Sequence, residues 1–199
     1  FISGEALAGG WGADAAADGG NAVIHMDAGD FKNTPVETAE NRYPINITSY
    51  QLGTDTGGAG KFRGGLNIIK GYRNLADTSM LGIQFGRTVT PSWGLFQGHP
   101  GSTPRVLIYP GTSQAKTVSK VNQLPLNHED MFEAHTGGGG GYGPPWERDV
   151  WRVQEDVADG YVSVDEARKT YGVIIADNLK DVDKRATIHC LLYTSPSPR

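Results

Sequence analysis

Hydrophobic and polar positions alternate along residues 43–52, where Tyr43, Ile45 and Ile47 interleave with Pro44, Asn46 and Thr48. A period of two is the mark of a half-buried strand. Residues 66–75 and 80–85 read as two more strands, joined by a polar turn over 74–79. Residues 105–109 form a short apolar strand closed by Pro110-Gly111, and 116–121 and 131–134 each read as a further one. The intervening stretches carry loop chemistry. Gly9, Gly10 and Gly12 surround Trp11, residues 27–34 are turn-rich, and Pro35 bars a central strand there. Residues 55–65 are glycine-dense, and 91–104 read as loop again.

The C-terminal third changes period. Val150, Val153 and Val157 lie at helical spacing within residues 146–158, and Gly160 follows where a left-handed cap is favoured. Ser163 and Glu166 make an S-x-x-E capping box, in which the Ser oxygen accepts an orphan N–H and Glu166 reaches back. The helix it starts runs to Tyr171 and stops at Gly172. Short strands followed by a small helical hairpin predict an α+β fold, with a strand-rich body over 1–145 and a helical segment of the same domain over 146–189.

Composition sharpens this picture. With 28 Gly and 11 Pro in 199 residues, long uninterrupted helices are not expected. Eighteen Lys plus Arg against 22 Asp plus Glu leave a net charge of -4, which argues against a generic polyanion surface and hence against nucleic acid as partner. No apolar run approaches the roughly 18 residues of a membrane span, and Phe1 begins no basic signal region. The expectation is a soluble, cytoplasmic protein, and a start at Phe1 reads as a piece of a longer chain. Residues 190–199 break sharply in composition and read as the in-frame translation of a sequencing adapter. Without them the chain has no cysteine, so disulfides, thiolate nucleophiles and Cys-type zinc sites are not expected.

Candidate chemistry centres on glycine. Residues 55–62 invite a phosphate-loop reading, but Asp55 replaces its first Gly and Phe62 the magnesium-binding Ser or Thr. The dinucleotide fingerprint fails at Arg63. Two readings stay open for this loop: a tight turn linking strands, or an anion site built from Arg63 and backbone N–H groups. Gly137 to Gly141, followed by Tyr142-Gly143-Pro144-Pro145, is costly to order. It serves close backbone packing, contact with a ligand or partner, or a linker to the helical hairpin. The histidines at 25, 99, 128, 135 and 189 lack helical metal-pair spacing, and only His25-x-Asp27 could place two ligands on one strand face. Asn46-Ile-Thr48 matches a glycosylation sequon within an apparent strand, and no G-x-S-x-G elbow occurs.

Six pieces in order resemble the C-terminal part of the hydantoinase B / 5-oxoprolinase family, which includes subunits of acetone and acetophenone carboxylases. They are residues 9–13; 33–37 with Glu40 and Tyr43-Pro44; 55–65; 93–96 with 98–101; 138–143 with Glu147-Arg-Asp149; and 156–160 running to Tyr171-Gly172. The resemblance implies ATP-dependent opening of a small-molecule cyclic amide such as a hydantoin or 5-oxoproline. Its carboxylase branch implies ATP-dependent ketone carboxylation, in which this segment would serve structure and assembly. ATP and Mg are expected on a hydantoinase A-like partner subunit or domain. A divalent metal is expected in an N-terminal half outside this chain, and no metal on these residues, so the chain alone should be inactive. A phosphorylated tetrahedral species needs cations and N–H donors. Arg63, Arg87, Gly139, Gly140 and Tyr142 are the candidates. Departures from the family pattern fall at Gly137 and Pro144, at Gly86 beside Arg87, and in extra residues over 27–32, which puts His25 outside any assigned role.

Overall fold

The computed structural model describes residues 2–24, 33–176 and Thr187. Among these the chain is α+β, with antiparallel strands and short helices at the C-terminal side. Helix α1 is Val36–Arg42, and the strands are β1 Ile45–Leu52, β2 Ile68–Asn74, β3 Thr78–Ile83, β4 Arg105–Ile108, β5 Lys116–Val118, β6 Val121–Asn127 and β7 Met131–His135. Helices α2 Val150–Ala158 and α3 Val164–Lys169 follow a single 3-10 turn at Pro145–Glu147. Five strands make one sheet in the order β1-β2-β7-β4-β5, while β3 and β6 pair as a separate ribbon. The ribbon lays Leu81, Ile83 and Leu124 against Val106, Ile108 and Phe132 of the sheet. A second core joins Val153, Val162, Ala167, Tyr171 and Val173 of the helical side to Ala59.

Two elements depart from the sequence expectation. Residues 116–121 do not form one strand: β5 ends at Val118 and β6 starts at Val121 in the other sheet. Pro125 fits inside β6 because a strand of a two-stranded ribbon keeps a free edge that asks for no N–H. Helix α1 is not expected from its polar sequence, of which only Ala39 is buried. It begins directly after Pro35, where a missing N–H is no loss. Glu40 then locks it to β1 by accepting from the Ile47 amide and from Asn46 Nδ2, both at 2.7 Å.

The helical hairpin follows its sequence signals, with one exchange. The Tyr161 amide donates to the Asp156 carbonyl and the Gly160 amide to the Val157 carbonyl, with Gly160 at φ +75°, which is a Schellman stop to α2. Ser163 Oγ accepts from the Glu166 amide at 3.1 Å. The returning arm of the capping box is not made by Glu166. Asp55 supplies it instead, its Oδ1 accepting from the Ser163 amide at 2.7 Å, while Glu166 takes the Thr170 hydroxyl. A carboxylate 108 residues away thereby ties α3 to the glycine-dense loop.

The glycine run resolves to close packing. Residues 137–143 pass between three irregular segments, 9–13, 55–65 and 91–104, and are stitched to each by backbone hydrogen bonds. Gly10 donates to the Gly137 carbonyl, Ala13 to Gly140, Gly139 to Gly65, Gly138 to Ser102, Gly141 to His99, and Leu95 to Gly141, at distances of 2.9 to 3.0 Å. A Cβ on Gly138 would lie 1.8 Å from the Thr56 carbonyl oxygen, one on Gly139 1.8 Å from that of Trp11, and one on Gly140 1.9 Å from that of Trp93. Gly141 returns to the first neighbour, meeting Ala59, three residues beyond Thr56. Three residues per turn is the period of a polyproline-II-type helix. None of residues 137–141 has a left-handed φ, so the run is fixed by the missing Cβ rather than by glycine's backbone freedom.

Gly137 differs from its neighbours, since a Cβ there would stand 3.4 Å from the nearest atom, and Gly86 would meet nothing within 4 Å. Gly139→Ala and Gly140→Ala are each expected to destabilise the chain by about 3 kcal/mol, because carbonyl backbone cannot step aside as a side chain can. Gly86→Ala is expected to leave stability within about 0.5 kcal/mol. Urea unfolding midpoints compare the three, and equal midpoints would refute close packing as the reason for the run.

Candidate functional site

Four charged side chains meet where the glycine segments join the helical hairpin. Arg63, 4% exposed, points its Nε at Asp156 Oδ1 at 3.2 Å. Arg148 donates to both oxygens of Asp18, at 2.7 and 2.8 Å, and its Nη2 lies 2.8 Å from Asp156 Oδ2. The Arg63 amide also donates to Asp18 Oδ1 at 2.6 Å, and the Arg63 guanidinium reaches the Gly64 carbonyl and Asn21. The Tyr161 ring lies 5.2 Å below the Arg63 guanidinium carbon. Two cations and two anions pair their charges, as buried charges must, although Arg148 Nε and Asp156 Oδ2 make no hydrogen bond. Burial pushes the Asp18 carboxyl up, but the Arg148 hydrogen bond and charge, with the Arg63 amide, outweigh it and hold Asp18 below the ordinary 3.8. Burial lowers Arg148 while its two carboxylate partners raise it further, to a net rise.

The other expected site residues lie apart from this cluster and from one another. Arg87 is exposed at φ +53°, its guanidinium 4.8 Å over the Trp93 ring, and it makes no ion pair among the described residues. It lines a cavity of about 400 Å³ with Leu7, Phe85, Ser92, Ser102 and Gly137, and no carboxylate appears in that lining. Gly139 and Gly140 are buried in backbone contacts. Tyr142 is half-buried, bridged to Phe62 and Leu95, with its ring tilted against Phe96 at 5.0 Å. Arg63, Arg87 and Tyr142 share neither this cavity nor the larger one below.

A second polar cluster has no counterpart in the sequence reading. Lys70 is 1% exposed on β2, its Nζ 2.5 Å from Glu5 Oε1, while Tyr72 donates to the other oxygen of Glu5 at 2.7 Å. The Tyr50 ring lies 4.5 Å from Lys70 Nζ. Glu5 and Tyr72 form part of the wall of a cavity of about 840 Å³ between the sheet, the β3-β6 ribbon and the N-terminal segment. Burial, with Glu5 as the acceptor, drives the Tyr72 phenol upward, so it stays protonated. The available signal is Lys70 itself, placed at the even positions of β2 with Ile68, which face a core.

Among the described residues no three His, Cys, Asp or Glu side chains group to hold a metal ion. In the loop that invites a phosphate reading, the amides of Gly58, Lys61, Phe62 and Gly64 donate to backbone carbonyls within the fold rather than facing a ligand. Nor is any described helix long and apolar enough to cross a membrane. His25, Asp27, His189 and the break at 190–199 lie outside the described residues.

The class defined so far is an α+β scaffold whose loops pack through glycine. The hydantoinase B/oxoprolinase family model matches residues 1–145, and the chain belongs to that family. It is 41% identical over 143 residues to an uncharacterised protein of Methanocaldococcus jannaschii, which covers 72% of this chain and 25% of that protein. It is 31% identical over 173 residues to the hydantoinase B component of a putative D-/L-hydantoinase of a Pseudomonas species, covering 85% of this chain and 28% of the relative. The crystal structure of ATP-dependent caprolactamase from Pseudomonas jessenii superposes with a TM-score of 0.75 at 30% identity, over 93% of this chain and 33% of that one. The chain therefore spans between a quarter and a third of these relatives' length.

Asp18 below its ordinary value means that the unfolded chain takes up the proton first as pH falls. The stabilisation from Asp18 is complete above about pH 4 and disappears as pH drops through the folded value. Asp18→Asn should flatten that acid-side loss in a urea titration series. Arg148→Ala, which takes a buried guanidinium from two carboxylates and leaves them Arg63 and the partly exposed Arg152, is expected to cost about 3 kcal/mol at neutral pH. A loss under about 0.5 kcal/mol would show that the cluster does not hold the segments together.

Proposed function

We propose that this chain is the C-terminal part of a hydantoinase B-type subunit that opens a cyclic amide together with a hydantoinase A-like, ATP-binding subunit or domain. A lactam is a sluggish electrophile with a poor leaving group, and phosphorylating its oxygen prepares the carbon for water. The oxygens of the tetrahedral species then call for a cation and for hydrogen-bond donors already in place. In this chain the carrying observation is the Arg87 cavity. There a guanidinium without a carboxylate partner among the described residues meets the Ser92 and Ser102 residues in a concave lining. Arg63 is the weaker candidate, because Asp156 holds it within the fold. Neither nucleotide nor metal is assigned to these residues, and ATP with Mg belongs to the partner in this reading.

The second reading is structural. Gly139 and Gly140 are consumed by backbone packing and Arg63 by the ion cluster. That favours a segment which assembles a subunit, of amide-hydrolase or carboxylase type, whose chemistry lies elsewhere.

The two readings separate in the longer protein encoded by the gene that contains this sequence, co-expressed with the adjacent ATP-binding subunit. ADP release is assayed with 5-oxoproline, a hydantoin and acetone plus bicarbonate in parallel. Arg87→Gln is expected to lower substrate-stimulated ADP release about 100-fold with the complex intact. Gly86→Asp, which sets a carboxylate beside Arg87 at a position open for 4 Å, should weaken it in the same direction. Arg63→Ala should instead lower assembly and stability together. Full turnover in an assembled Arg87→Gln complex would leave the structural reading.

A further inference from the structure

The loop that carries Arg87 also carries an apolar ridge. Trp93 is 65% exposed and Phe96 70%, with Leu95 half-exposed between them. Large apolar side chains gathered in this way on a surface mark an interaction site. This ridge is also rigid. The Trp93 carbonyl oxygen sits where Gly140 leaves room for it. Leu95 is held on both sides, donating to Gly141 and accepting from Gly143.

The turn that raises Phe96 is strained. The Gly98 amide donates to the Leu95 carbonyl at 2.9 Å, with Phe96 at φ +50° and Gln97 at φ +73°. Positive φ at both central residues makes a type I′ turn, whose usual occupants are Asn and Gly. Each bulky residue there carries a backbone penalty of about 1 kcal/mol or more. Within this chain the Phe96 ring, 70% exposed, gains only a tilted contact with the Tyr142 ring at 5.0 Å in return. The ring is held outward against a backbone preference, which is the pattern of a contact prepared in advance.

We infer that the Trp93-Leu95-Phe96 ridge docks against the remainder of its own subunit. The occupant is the part of the relatives that lies outside the matched region, since this chain spans only 25% and 28% of two of them. The docked surface is apolar at its centre, where it meets Trp93, Leu95 and Phe96, and leaves Arg87, stacked on the Trp93 ring, facing the cavity. Docking there also roofs the Arg87 cavity, and pockets form preferentially at such junctions. The inference rests on family membership and length, not on the reaction proposed above.

The test uses the longer gene product, with and without its ATP-binding partner, and reads no turnover. Hydroxyl-radical footprinting is expected to find Trp93 and Phe96 protected at least tenfold relative to residues 1–199 alone, at low protein concentration and without the partner. Protection that appears only when the ATP-binding subunit is added would make the ridge an intersubunit surface and overturn the inference. Protection of residues 1–199 alone that rises with concentration would assign the ridge to a second copy and overturn it equally. Melting of Phe96→Gly in the longer protein gives an independent sign. A docked ring predicts a fall in Tm of about 3 °C or more. An undocked one predicts no more change than the same substitution makes in residues 1–199, where Gly relieves the left-handed φ and gives up only the Tyr142 ring contact.

Discussion

Contact between backbones, with no side chain between them, is the constraint on which the rest of this structure depends. The segment 137–143 can lie against its neighbours only because residues 138–141 carry no Cβ, and each neighbour must be fixed in turn for the hydrogen bonds to form. Ordering so many glycines carries a large entropic cost, which hydrophobic burial within the segment cannot offset because there are no side chains to bury. The compensation comes from the edges. Asp18 follows residues 9–13, Arg63 lies on the glycine-dense loop, Arg148 sits just beyond the glycine run, and Asp156 belongs to α2. Their mutual ion pairs therefore clamp three of the stitched segments to the helical hairpin. Asp55 repeats the device on a smaller scale by capping α3 from inside the loop. Charge placed outside the packed backbone holds together what apolar packing cannot.

This division explains what is legible in the sequence. Strand β1 is legible from its alternation, and β2, β3, β4 and β7 from apolar runs bounded by turn residues, both local properties that a single pass can detect. Helix α2 and the start of α3 are legible for the same reason, through valine spacing and the Ser163 cap. The ribbon strand β6 is hidden by Pro125, whose tolerance depends on the free edge that the fold creates. The role of the five glycines stays open among three readings in the sequence, since each has its partner on another segment. Gly139 against Trp11 and Gly138 against Thr56 are contacts between segments far apart along the chain. The six short motifs that carry the family resemblance look weak one at a time for this reason, and they include the pieces of a single packed object.

Arg63 marks the limit of reading chemistry from a glycine loop. An arginine just after Gly-Gly-Ala-Gly presents the same local pattern whether its counter-charge is a ligand oxyanion or a protein carboxylate. The answer lies in Asp156, 93 residues away, and no spacing rule connects the two. Lys70 is the converse case. A lysine among the core-facing positions of β2 signals a buried partner, but Glu5 sits in a segment without regular structure that gives no sign of where it will fold back.

The distribution of free glycines then bears on where this scaffold can vary. In the central run, 138–141 are fixed by carbonyl oxygens within 2.3 Å of the Cβ position, so substitution there strikes the framework itself. Gly86 and Gly137 are not fixed in this way, and both line the cavity that holds Arg87. Side chains can be added at these two positions, one next to the guanidinium and one on the opposite backbone, without moving a stitched segment. A rigid support with adjustable lining is what a positioned polar site requires, because orientation comes from the frame and selectivity from the lining. The same frame holds the Trp93-Phe96 turn, which follows directly on Ser92 of that lining. Shape and charge of the cavity are therefore separable in this fold, with the glycine packing common to both.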